Sequence, residues 1–137
     1  MIKTSSGILY PENASDLIDI KEKNSVSLPA VRTVPHKAWS LCKDELDRVF
    51  SSLNGAKADY IFVFSPLHQG RIGDEFKIYT HNEYNLSFPV ERNDDICAEE
   101  FSYEILLPYI EKLFPSARSY AFYAPDEENP ETGRLID

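Results

Sequence analysis

The sequence predicts an α/β fold, in which a layered, partly parallel sheet has helices packed on its faces. Its segments alternate in the order strand, helix, strand, strand, helix, strand, which is typical of long crossover connections between parallel strands. One apolar run, residues 59–64, is continuous rather than alternating, as in a strand that is covered on both faces. Hydrophobic residues make up 42% of the 137 residues, which is enough for the core of a single domain.

The first half of the chain predicts a short helix, a strand and a long helix. We expect the short helix at residues 16–23 and a buried, β-branched strand at residues 30–34, which Pro35 closes. Apolar residues recur at helical spacing over residues 37–53 and form one stripe. On the opposite face Lys43 is placed to pair with Asp47. Asn54-Gly55 then ends the helix.

The second half predicts strands around one further helix. We expect strands at residues 59–64, 76–80 and 118–124, with an extended piece at 86–90. The helix covers residues 98–114, and Pro108 should kink it or begin a new helical turn. We predict a single domain over residues 1–124, followed by an acidic, disordered tail at 125–137.

Charge and composition argue against several classes of partner. The formal net charge is −9, and such a surface repels phosphate backbones and anionic membrane surfaces. No apolar run approaches the roughly 20 residues of a membrane span, and the first residues lack the apolar stretch of a secretory signal. We therefore expect a cytoplasmic protein. Cys42 and Cys97 should be reduced thiols, with a disulfide as the alternative.

Two histidines stand out because each follows a predicted strand and a proline. His36 follows residues 30–34, and His68 follows residues 59–64. Ligand sites of α/β folds lie beyond the carboxyl ends of strands, so the two imidazoles are candidates for a metal site or an acid–base pair. Imidazole binds zinc, copper and iron. The alternative is that both are ordinary hydrogen-bonded surface residues.

A conventional zinc or iron site needs at least three protein ligands. No third ligand has a diagnostic spacing to the two histidines. The candidates are Cys42, Cys97, Glu99, Glu100 and His81. Cys42 lies on the apolar helix stripe, which favours core packing, and His81 lies among polar residues. Cys97 begins the second predicted helix, whose dipole would lower its pKa, although an inert thiol is the simpler interpretation.

Other chemistry is not indicated. The chain contains no GxGxxG, Walker or GxSxG motif, so nucleotide binding and a hydrolase nucleophile elbow lack their usual signals.

Four segments also resemble, in chain order, the motifs of a known family. Residues 7–11 resemble its opening glycine-aromatic-tyrosine-proline segment, and residues 34–39 its proline-histidine-alanine-glycine-tyrosine motif. Residues 62–68 resemble its strand ending in glycine-proline-serine-histidine. Residues 100–109 resemble its glutamate-histidine-serine segment, which runs into a leucine-proline-aromatic helix. Together they resemble the N-terminal half of the Memo family, whose fold is similar to class III extradiol dioxygenases.

The resemblance implies roles for particular residues. His36 and His68 match the two histidines that line the family's metal pocket. The family's later histidine and its cysteine ligand have no counterpart here, and Phe101 stands where the family motif has a histidine. Ala38 and Trp39 replace the family's glycine and tyrosine.

Two functional hypotheses follow from the resemblance and its departures. The favoured one is a degenerate, truncated Memo-like domain without catalysis, acting as a binding or assembly module. The alternative is a metal-dependent redox or dioxygenase-like enzyme, with His36 and His68 as iron, copper or zinc ligands and another chain supplying the rest. A half-length sheet would leave an exposed edge and an uncovered apolar face, so we expect a homodimer or a paired subunit.

Overall fold

A computed structural model describes residues 6–67, 78–80, 90–98 and 100–124, and these form an α/β structure. The helices are α1 (Trp39–Leu53), α2 (Asp94–Cys97) and α3 (Leu107–Leu113), with 3-10 helices at Ala14–Leu17 and Glu104–Leu106. The strands are β1 (Tyr60–Pro66), β2 (Ile78–Thr80), β3 (Val90–Arg92) and β4 (Arg118–Ala124). The predicted fold class is confirmed, and β4 has the predicted bounds.

The four strands form one mixed sheet in the order β1-β4-β2-β3. Strand β2 runs parallel to β3, with Tyr79 opposite Glu91, and antiparallel to β4, with Tyr79 opposite Tyr123. The Arg118 amide donates to the Asp59 carbonyl, and the Leu67 amide donates to the Ala124 carbonyl. Since these bonds join the early ends and the late ends of β1 and β4, the two strands run in the same direction. The sheet is therefore partly parallel, as predicted.

The chain divides into two compact units. The helical unit combines the described residues up to Tyr60 with Phe101–Arg118. The sheet unit combines the described residues of Ile61–Glu100 with those from Ser119 onward. The core of the helical unit is apolar and aromatic. Its buried residues include Trp39, Leu46, Phe50, Ile105, Tyr109 and Ile110.

Helix α1 forms as the apolar periodicity predicts. Its buried residues are Trp39, Cys42, Leu46 and Phe50, spaced three or four residues apart. The helix ends at Asn54-Gly55, where Gly55 has a φ of 106°. A Cβ at this glycine would lie 2.5 Å from the Asn24 carbonyl oxygen, so the turn needs glycine for both its conformation and its space.

The segment before α1 differs from the sequence prediction. In place of a helix at 16–23 there is only the 3-10 helix Ala14–Leu17. The Lys112 ammonium donates to the Ser15 and Ile18 carbonyls, which a continuing helix would use for its own hydrogen bonds. The tertiary contact therefore replaces the local helix.

The strand predicted at residues 30–34 is also wrong. No secondary structure is assigned between Ile18 and Ala38, and Val31 is exposed. This segment is held by polar contacts to the end of α1. The Arg32 guanidinium donates to Ser52 Oγ, and the Asn54 side chain donates to the Glu22 carbonyl. These contacts hold the segment without a strand partner, and they leave Val31 and Thr33 exposed.

The helix predicted at residues 98–114 is interrupted. Helix α2 ends at Cys97, a 3-10 helix follows at Glu104–Leu106, and α3 begins at Leu107 with Pro108 in its first turn. Proline has no N–H to continue an α-helix but fits the first turn, so regular helix starts at this point. Of the two expectations for Pro108, the new helical turn is confirmed.

Strand β1 forms at nearly the predicted place, but its burial is not as predicted. Its residues alternate between exposed and half-buried along Tyr60–Phe64 instead of being covered on both faces. Of the helices within the described ranges, none has the length and apolar character needed to cross a membrane. The predicted tail at 125–137, the extended piece at 86–89 and the start of the strand at 76–77 lie outside the described residues.

Candidate functional site

His36 lies in the loop that leads into α1, and its side chain is exposed. The expectation that it follows a strand is wrong, because residues 30–34 are not a strand. Its ring lies against Phe101, with ring centroids 6.5 Å apart and an angle of 35° between the planes. His68, the other candidate ligand, lies outside the described residues, as does His81. The pairing of His36 with His68 therefore stays a prediction.

Three of the four segments that carry the family resemblance meet around Trp39. The Trp39 backbone amide donates to the Leu9 carbonyl at 2.8 Å. Its indole Nε1 donates to the Ile105 carbonyl at 2.9 Å. Its ring lies 6.1 Å from the ring of Tyr10. Trp39 thus joins the opening segment, the histidine loop and the segment at 100–109 within the helical unit.

A buried tyrosine–carboxyl pair lies beside this junction. The Tyr10 hydroxyl donates to Glu104 Oε1 at 3.1 Å, and both side chains are buried. Burial, together with the charge and the hydrogen bond of Glu104, raises the pKa of Tyr10 to about 12. Sequence patterns do not single out Glu104, because an acid next to Ile105 on the apolar stripe is typical of a residue at the solvent-exposed edge of that stripe.

A second polar cluster connects α1 and α3. The Tyr109 hydroxyl donates to Asp47 Oδ1, and the Lys43 ammonium lies 2.6 Å from Asp47 Oδ2, as the helical spacing predicts. The Tyr109 ring stacks on Phe50, with centroids 4.5 Å apart. Burial first, and then the hydrogen bond to Asp47, raises the pKa of Tyr109. A tyrosine that holds its proton is a poor base and nucleophile. We therefore interpret this cluster as a structural contact that stabilises the packing of α1 against α3.

The candidate third ligands that lie within the described residues are buried. Cys42 and Cys97 are both free in the structure, with no disulfide between them. The Cys42 thiol contacts the Lys37 carbonyl at 3.3 Å. Burial and the nearby Glu100 and Asp94 carboxylates raise the pKa of Cys97 to about 12, which fits the inert thiol and not the alternative of a pKa lowered by a helix dipole. Cys97 ends α2 instead of beginning a helix. Glu100 is buried in the sheet unit, and Glu99 is not described.

These residues do not by themselves complete a metal centre. Across the described ranges, no group of three or more histidine, cysteine, aspartate or glutamate side chains is placed to hold an ion. Around His36 they supply one exposed imidazole and the aromatic ring of Phe101. This arrangement offers a surface with an aromatic ring and an imidazole, next to the hydrogen-bonded junction around Trp39.

The chain was also compared with known protein families, curated proteins and solved structures. No protein-family model matches the chain, no curated protein matches it, and no solved structure matches it.

Proposed function

We propose that this chain is a Memo-like domain that acts as a binding or assembly module and has no catalytic activity. The observation that carries the proposal is the contact between His36 and Phe101. If the resemblance holds, Phe101 occupies the place of a polar pocket histidine, and an apolar ring lies where a ligand or proton carrier is needed. A site altered in this way favours recognition over chemistry.

The convergence of the motif segments supports the Memo-like part of the proposal. Residues 7–11, 34–39 and 100–109 were linked on sequence alone, and they lie far apart in the chain. Tyr10, Trp39 and Glu104, one from each segment, are joined by hydrogen bonds and ring contacts in a single junction. This convergence supports the resemblance, because the family motifs would have to meet around one pocket.

The enzymatic alternative keeps His36 and His68 as ligands of iron, copper or zinc, with the remaining ligands from another chain. The exposed position of His36 favours it, since an imidazole at the surface is open to a partner. Two imidazoles alone hold a metal weakly, since loss of even outer-shell partners typically costs 10–100-fold in affinity. The binding module is therefore the stronger proposal.

The partner and location belong to the same proposal. We place the domain in the cytoplasm, paired with a second copy or a related subunit, and not with nucleic acid. Support comes from the net charge of −9, which disfavours phosphate-rich partners, and from the free thiols.

Metal content of the purified protein tests the proposal. Iron, copper and zinc would be quantified in the wild type and in His36→Ala, His68→Ala and His81→Ala, with His81→Ala as the matched control for loss of a histidine. We expect far less than one equivalent of metal in every sample, and circular dichroism spectra that match the wild type.

One pattern would overturn the proposal in favour of the enzyme. It is a stoichiometric metal that is lost in both His36→Ala and His68→Ala and is retained in His81→Ala. Metal retained equally by all three variants would place the ion away from these histidines, and it would likewise contradict a metal-free module.

A further inference from the structure

We draw no further inference here: the strongest candidate, the exposed aromatic surface patch that Phe62 and Phe64 form on strand β1 of the sheet unit, carries nothing, because no contact within the described part of the chain shows what covers it.

Discussion

The Tyr10 hydroxyl donates a hydrogen bond to Glu104 Oε1 over 3.1 Å, although the two residues are 94 positions apart in the chain. Both side chains are buried, so neither can exchange this bond for one to water. The pair therefore fixes the opening segment against the segment before α3.

Removal of this hydroxyl should destabilise the fold. In Tyr10→Phe, the Glu104 carboxyl loses a donor in a buried environment, and we expect the free energy of unfolding to fall by about 1–3 kcal/mol. Urea denaturation measures the change. Tyr60→Phe, at an exposed ring, is the matched control and should change stability by less than about 0.5 kcal/mol. Equal effects in the two variants would contradict the role of the pair.

The raised pKa of Tyr10 also predicts how stability depends on alkaline pH. The ordinary value is 10.0 and the folded value is about 12, so between these the folded state holds a proton that the unfolded state has lost. Stability is therefore complete below pH 10 and decreases as the pH rises through 12. Urea midpoints measured across this window should fall, and they should fall less steeply in Tyr10→Phe. A wild type as stable at the top of the window as below it would contradict the pKa shift.

The turn after α1 offers a test of backbone strain. Gly55 and Gly7 both have positive φ, but a Cβ at Gly55 would lie 2.5 Å from the Asn24 carbonyl oxygen, whereas at Gly7 its nearest neighbour would be a Glu12 side-chain atom at 3.6 Å. Gly7→Ala should therefore cost about 1–2 kcal/mol for conformation alone. Gly55→Ala should cost clearly more, because the backbone of residue 24 must also move. Thermal melts of the two variants measure the difference, and equal melting temperatures would exclude the predicted clash.

The sequence predicted best those features that a single element determines. The stripe from Trp39 to Phe50 specified α1, and Asn54-Gly55 specified its end. The sequence prediction was wrong where residues distant in the chain determine the structure. The Lys112 ammonium donates to carbonyls that a helix after Leu17 would need, and the Arg32 side chain of the predicted strand donates to Ser52 instead.

The candidate site was also difficult to predict, because it depends on contacts between residues that are distant in the sequence. The exposure of His36 and its contact with Phe101 depend on how the two segments pack, and neither spacing nor residue type reports that. Glu104 was missed for a related reason. Its partner, Tyr10, lies at the other end of the helical unit's sequence, and a buried acid looks like an exposed one until that partner is known.

The two thiols should be unreactive in the folded protein. Cys97 has a pKa of about 12, because it is buried and faces the carboxylates of Glu100 and Asp94, so the reactive thiolate is scarce at mildly alkaline pH. Cys42 is also buried. A chromogenic disulfide reagent should label neither cysteine in the native state and both in denaturant. Rapid labelling of one thiol in the native protein, assigned with Cys42→Ala and Cys97→Ala, would contradict the burial of that residue.

Placing an imidazole at position 101 should create a metal site if the proposed Memo-like interpretation of Phe101 is right. The rings of His36 and Phe101 have centroids 6.5 Å apart. Two imidazoles on one tetrahedral ion, each about 2.0–2.1 Å from it, have centroids roughly 5 Å apart, so the exposed His36 ring must move about 1 Å closer to share an ion with position 101. We therefore expect Phe101→His to bind Co²⁺ or Zn²⁺ at least tenfold more tightly than the wild type. The double variant His36→Ala/Phe101→His serves as the control and should lose this gain. Isothermal titration calorimetry gives the affinities, and the absorption bands of Co²⁺ report its coordination. If the double variant keeps the higher metal affinity, the new histidine binds metal with partners other than His36. If Phe101→His binds metal no more tightly than the wild type, position 101 does not lie in a metal pocket.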